Sequence, residues 1–253
     1  MVKPNPAKAG FFMGGIMNQQ IKNAIFEHAK LDYPSECCGV MVQNSEQEFY
    51  FPCQNLSASP TDQFILNPKD FAAAEDLGVI SAIVHSHPDA TTQPSQLDRA
   101  MCDDSCVPWV IVSWPEGDLK WIYPRGELPL IERPFVLGHT DCWGLVMSYF
   151  RQVHGIELHD YRVNFPWWED GHPENLYRDN WFDCGFREFV GKPQPGDLIM
   201  MQIQSKKWNH AGIYLEGNMM LHHLYGRPSN RTPYGGYWRE RTIKIVRYHT
   251  LFE

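Results

Sequence analysis

The stretch VISAIVHSHPDATTQPSQLDRAM, residues 79–101, constrains the fold of this chain more than any other. An apolar run of strand length ends in His-Ser-His-Pro. A loop with a second proline follows, and SQLDRAMCDD then reads as a helix. Alternate residues of a strand share a face about 6–7 Å apart, so His85 and His87 point the same way. Ser95 and Asp98 are i, i+3 neighbours on one face of the helix. Where the strand end and the helix start converge, two imidazoles and a carboxylate meet. That set suits Zn²⁺ at about 2.0–2.2 Å and leaves a fourth position for water, as catalytic rather than structural zinc does. Each half alone has a plainer reading, a polar strand end and a capping box. The combination points to metal ligands at His85, His87 and Asp98. Glu36, in PSECCG just before the strand CGVMV, is the candidate general acid/base, and Ser95 the candidate donor to an oxyanion.

A second chemistry lies downstream. Cys142 stands in the first turn of the amphipathic helix TDCWGLVMSYFRQVHG, capped by Thr140 or Asp141 and closed by Gly155. Free N–H groups and the helix dipole there predict a lowered thiol pKa. His210 in NHAGIY is the candidate base, and His222 in MMLHHLY the residue that orients it. Neighbouring strand residues face opposite ways, so only one of His222 and His223 lines the site, and His222 is taken. Cys53, Cys102, Cys106 and Cys184 read as small core residues. Trp167, Trp168 and Trp181 are candidates for the wall of a peptide groove.

A length of 253 residues suits two domains of roughly 120 residues each. Residues 1–16 read as a flexible extension outside the fold. Residues 17–125 read as an α+β domain: a helix near 18–31, strands CGVMV, EFYFP and QFIL, helix PKDFAAAEDLG, the histidine strand, helix SQLDRAMCDD, and strands VPWVIVSW and LKWIY. PRGELPLIERP supplies a linker at 126–133. Residues 134–253 then pack a helix on an antiparallel sheet from PGDLIMMQI, HAGIYL, MMLHHLY and TIKIVRY. A net charge of −8 argues against nucleic acid as a partner. The longest apolar runs fall far short of the ~20 residues of a membrane span. The first sixteen residues lack the features of a secretory signal, so synthesis in a cytoplasm with reduced thiols is expected.

Residues 17–125 resemble the JAMM (Mov34/JAB/MPN+) metalloproteases, through Glu36, the run His85-Ser86-His87-Pro88, Ser95 and Asp98. The resemblance implies a cytidine-deaminase-like α/β/α domain hydrolysing amide or isopeptide bonds with zinc. Its roles fall on His85, His87 and Asp98 as ligands, Glu36 as acid/base and Ser95 as oxyanion support. Residues 134–250 resemble the papain-like NlpC/P60 peptidoglycan endopeptidases through DCWGLV, PGDLIMM, HAGIY and a His twelve residues after His210. That implies Cys142 as nucleophile, His210 as base and His222 as the third residue. Many members carry a Y-x-W-G-G segment upstream of the cysteine; this chain has FVLGH.

The order of the two domains is similar to that of tail assembly proteins of lambdoid, long-tailed phages. This resemblance implies tail tip proteins as partners, the virion tail or an assembly intermediate as location, and peptidoglycan stem peptides, met in the host periplasm, as substrate. Two other readings are a tail scaffold with vestigial sites and a bacterial JAMM protease acting on ubiquitin-like or sulfur-carrier proteins.

Overall fold

The computed structural model describes residues 17–251, so the expected extension at 1–16 lies outside the described residues. The chain divides after Gly126 into two compact units.

The first unit opens with α1 (Gln19–Asp32), whose first turn is capped by the Asn18 side chain. Strands β1 (Cys38–Gln43) and β2 (Glu48–Cys53), helix α2 (Pro68–Leu77), strand β3 (Val79–Pro88), helix α3 (Gln96–Ser105), and strands β4 (Trp109–Trp114) and β5 (Leu119–Ile122) follow. The sheet order is β2-β1-β3-β4-β5, with only the β3–β4 pair parallel. Burial on both faces explains the nearly unbroken apolar runs of β1, β3 and β4. Ile21, Ile25 and Ala29 of α1 pack with Met41, Ala82, Val84, Val110 and Val112 on one face. Ala74 of α2 and Cys102 of α3 pack with Cys38, Val40, Ile83 and Ile111 on the other. The unit is therefore a three-layer α/β/α sandwich, and His85 and His87 share the α2/α3 face with Ile83 by alternation.

The sequence QFIL, expected to be a strand, contributes one isolated bridge, Asn55 to Leu66. The Asn55 side chain explains the difference. Its Nδ2 donates to the Gln63 carbonyl at 3.2 Å and its Oδ1 accepts from the Ile65 amide at 3.0 Å, so side-chain bonds replace a ladder.

The second unit contains α4 (Cys142–Tyr149), continued by one π-helical turn (Phe150–His154), α5 (Leu176–Asn180), β6 (Phe186–Arg187), β7 (Leu198–Met201), β8 (His210–Leu215), β9 (Met219–His222), β10 (Asn230–Pro233), α6 (Tyr237–Arg241) and β11 (Thr242–Tyr248). Its sheet is antiparallel throughout, in the order β10-β9-β8-β7-β11-β6. Leu145, Val146, Tyr149 and Phe150 pack on Leu198, Met200, Ala211, Ile213 and Leu221. Ile199, Met201 and Met220 line the opposite face with Trp238 of α6.

Of residues 126–133, expected as a linker, residues 127–133 are fastened to the second unit. Gln152 donates to the Leu128 carbonyl at 2.9 Å. The buried Arg133 guanidinium donates to the Ser148 hydroxyl at 2.8 Å and to the carbonyls of Leu128 and Pro129. Backbone bonds join Glu132 and Arg133 to Ser229. All seven cysteines are free. Among the described residues, no helix is long and apolar enough to cross a membrane.

Candidate functional site

In the first unit, β3 delivers two imidazoles and the first turn of α3 delivers a carboxylate. Asp98 is held by a reciprocal capping box: its Oδ2 accepts from the Ser95 amide at 2.7 Å, and Ser95 Oγ accepts from the Asp98 amide at 3.0 Å. Ser95 thus serves as a cap, and its hydroxyl proton stays available as a donor. His85 Nε2 lies 3.1 Å from His87 Nε2 and 3.2 Å from Asp98 Oδ1, and His87 Nε2 lies 3.4 Å from Asp98 Oδ2. Ligands at zinc distances and tetrahedral angles stand ~3.3 Å apart. The three separations are close to that edge length, with His85 and His87 approaching different oxygens of Asp98.

The His87 tautomer agrees with ligation. His87 Nδ1 is 2.8 Å from the Thr91 carbonyl, which only an N–H can use, so Nε2 offers its lone pair once an ion displaces the proton it shares with Asp98. The His85 ring is clamped between Phe64, stacked at 4.7 Å, and Trp109 at 5.5 Å. Burial pushes the His85 pKa down, which keeps a neutral imidazole. Burial opposes ionisation of Asp98, but the bonds from His85 and His87 hold its carboxyl well below the usual range. Three possible ligand atoms within 4.8 Å of one another, on largely buried side chains, are what a divalent cation satisfies. The donor set fits zinc.

Glu36 is buried beside this cluster. Cys38 stands opposite His85 in the β1–β3 register. The Cys37 amide donates to Ser86 Oγ at 2.8 Å and the Ser86 amide to the Cys37 carbonyl at 3.0 Å. Continuing that register sets Glu36 opposite His87 on the ligand face. Burial pushes its carboxyl up to about 8, against the pull of His87.

In the second unit, Asp141 caps α4: its Oδ1 accepts from the Gly144 amide and its Oδ2 from the Gly138 amide, both at 2.9 Å. A Cβ at Gly144 would collide with the His139 carbonyl, so the D-C-W-G run needs glycine at that position. Cys142 opens into a cavity of about 640 Å³ that His210, Tyr177 and His223 also line. The cavity wall includes Trp167, Trp168 and Trp181, the three tryptophans expected there. Cys142 Sγ lies 3.1 Å from the Tyr177 hydroxyl. The expected lowering of its pKa is not found. Burial pushes the thiol up to about 12 and the Asp141 carboxylate adds to the rise, outweighing the Tyr177 hydroxyl and the Ala211 and Trp143 amides. Helix-terminus stabilisation is present, but the enclosed thiol and the acidic cap overcome it.

His210 begins β8 and His222 ends β9, with His222 opposite Gly212, so the two imidazoles are diagonal neighbours on one face. His210 Nε2 is 3.1 Å from His222 Nδ1, and His222 Nε2 is 3.2 Å from Thr232 Oγ1. His210 itself lines the cavity with Cys142. Burial pushes His210 down to about 3 and His222 down to about 4, so both rings are neutral at rest. His223 shares the α4 face with Leu221, lines the cavity with Cys142 and packs its ring edge-on to Phe135 at 5.1 Å, whereas His222 stands behind His210.

Tyr177 and His223 are the cavity residues that sequence reasoning missed. FVLGH carries no upstream tyrosine, and the hydroxyl at the thiol comes instead from α5, 35 residues after Cys142. Nothing in a five-residue helix distinguishes Tyr177 from a core aromatic.

Residues 18–122 match a family described as prokaryotic homologs of the JAB domain, and residues 132–247 match the NlpC/P60 family. The expected order of α+β domains, JAB-like and then NlpC/P60, is thereby borne out. The chain is 70% identical over 232 residues to tail tip assembly protein K of Escherichia phage N15, covering 92% of this chain and 96% of that protein. It is 32% identical over 191 residues to tail tip assembly protein K of Escherichia phage lambda, covering 72% and 89% respectively. The CysO-cysteine peptidase of Mycobacterium tuberculosis is 29% identical over 105 residues, 39% of this chain and 72% of that protein. With similarity spanning nearly the whole of both phage relatives, the chain belongs to the family of tail tip assembly protein K.

Proposed function

We propose that this chain is a two-site peptidase of a phage tail tip, with a cysteine endopeptidase that cuts peptidoglycan stem peptides and a zinc-dependent (iso)peptidase. It would be made in the host cytoplasm, join other tail tip proteins in the virion tail or an assembly intermediate, and act on murein in the host periplasm. The observation that carries the reading is the Cys142 thiol opening into the same aromatic cavity as a His210 ring already oriented by His222.

The resting pair is a neutral thiol and a neutral imidazole, so the nucleophile forms only as His210 removes the thiol proton. Sγ then bonds to the substrate carbonyl carbon, and the oxyanion takes hydrogen bonds from the Cys142 amide and the Tyr177 hydroxyl. Collapse breaks the C–N bond, and the leaving amine receives its proton from His210. Water, deprotonated by the same imidazole, cleaves the thioester and restores the thiol.

In the first unit, His85, His87 and Asp98 would hold zinc. Bound zinc supplies Lewis acidity to the attacked carbonyl and to the attacking water. Glu36, kept partly protonated by burial, moves the proton from water to the leaving amine. The Ser95 hydroxyl donates to the oxyanion.

The test is cleavage of purified muropeptides by wild type, Cys142→Ala and His85→Ala under reducing, zinc-replete conditions. Cys142→Ala should lose at least about 10³-fold in rate, while His85→Ala keeps murein cleavage. A wild type inactive on every muropeptide, or a Cys142→Ala variant as active as wild type, sinks the reading.

A further inference from the structure

The connection between β7 and β8, residues 202–209, is a closed turn. Asn209 Oδ1 accepts from the Ile203 amide at 2.8 Å and its Nδ2 donates to the Ile203 carbonyl at 2.9 Å. Lys207 projects from that turn into an irregular loop, residues 166–172, that has no helix or strand to satisfy its carbonyls. Lys207 Nζ donates to the carbonyls of Trp167 at 2.6 Å, His172 at 2.6 Å and Glu169 at 3.4 Å. An ammonium has three donors, and all three are used. Ser205 Oγ, from the same turn, donates to the Trp168 carbonyl at 3.0 Å.

The loop held in this way is a wall of the cavity: Pro166, Trp167, Trp168 and Glu169 all line it. Trp167 is buried, and its ring lies 6.1 Å from the ring of Tyr177, whose hydroxyl touches Cys142 Sγ. The turn that carries Lys207 runs directly into His210 at the start of β8. One cation therefore joins the strand of the base to the aromatic wall.

We propose that Lys207 is a positioning residue, an internal cation that holds the Trp167–Trp168 wall where a substrate peptide is seated. The proposal rests on the reading of this cavity as the peptidase site. Lys206 is the built-in control: it pairs with Asp170 at 3.3 Å, but both side chains are about 85% exposed, where an ion pair orders little.

The experiment compares full-length wild type, Lys207→Met, Lys207→Arg and Lys206→Met in two measurements. Amide hydrogen exchange across residues 164–173 should rise about tenfold in Lys207→Met and stay at the wild-type rate in Lys206→Met. Steady-state cleavage of a muropeptide should show KM raised about tenfold in Lys207→Met with kcat within about twofold, and Lys207→Arg should recover part of both changes. Unchanged exchange in Lys207→Met overturns the latch, and raised exchange with an unchanged KM overturns its role for substrate. An equal response in Lys206→Met reduces the effect to surface charge and also overturns it. A wild type that cleaves no muropeptide overturns the peptidase reading instead, and the exchange arm still decides whether Lys207 holds the wall.

Discussion

The Cys142 thiol carries two opposing influences, a helix N-terminus that favours a thiolate and an enclosure that disfavours it. The enclosure wins, pushing the pKa up to about 12. His210, pushed down to about 3 by burial, holds no proton to share as an ion pair. The thiolate fraction therefore grows about tenfold per pH unit across the neutral range instead of saturating. Iodoacetamide alkylation of Cys142, followed by mass spectrometry from pH 6 to 9, should accelerate steadily without a plateau. A rate that levels off below pH 7 would mean a preformed thiolate–imidazolium pair and would discard the neutral-pair mechanism. Sequence pattern alone pointed to Cys142, His210 and His222, because a helix cap and a two-strand hairpin are local. It also favoured the wrong charge state, since the burial that raises the thiol is built by segments distant in sequence, among them Trp167, Trp181 and Leu198 of the cavity lining.

At the level of elements, the His85–His87–Asp98 group shows why some sites are readable from sequence and others are not. His85 and His87 follow from strand period two, and Asp98 from its place three residues after a cap, so one strand–loop–helix unit contains all three side chains. The long strands and helices were legible for the same reason. α5, β6, β10 and α6, at two to five residues each, span only one or two periods, too few to announce them. The capping box has a consequence for metal affinity. Ser95→Ala removes the acceptor for the Asp98 amide, costing about 1 kcal/mol of stability, and loosens the carboxylate, lowering zinc affinity about tenfold. Thermal denaturation without metal and competition with a chromophoric chelator measure the two effects. Affinity equal to wild type, alongside the stability loss, would restrict Ser95 to capping.

At the scale of the whole molecule, two unrelated sheet architectures place their chemistry at one kind of junction, where a strand end meets the first turn of a helix. Asp98 is in the first turn of α3 and Cys142 in the first turn of α4. The cost of the second junction is a set of buried imidazoles. Burial holds His210 down to about 3 and His222 and His223 down to about 4. Unfolded, each would titrate near 6.5. A histidine depressed in the folded state takes up its proton only on unfolding, so its stabilising contribution is complete above pH ~6.5 and declines as pH falls towards the folded value. Each ring adds a slope of up to about 1.4 kcal/mol per pH unit between pH 6.5 and 4. Calorimetry of the full chain should therefore show the transition of the second unit falling across that window. His223→Phe keeps a ring against Phe135, removes one buried imidazole, and should flatten the slope by up to about 1.4 kcal/mol per pH unit. A transition that stays level from pH 6.5 to 4, or a slope unaltered in His223→Phe, would show that these imidazoles do not set the acid sensitivity of the second unit.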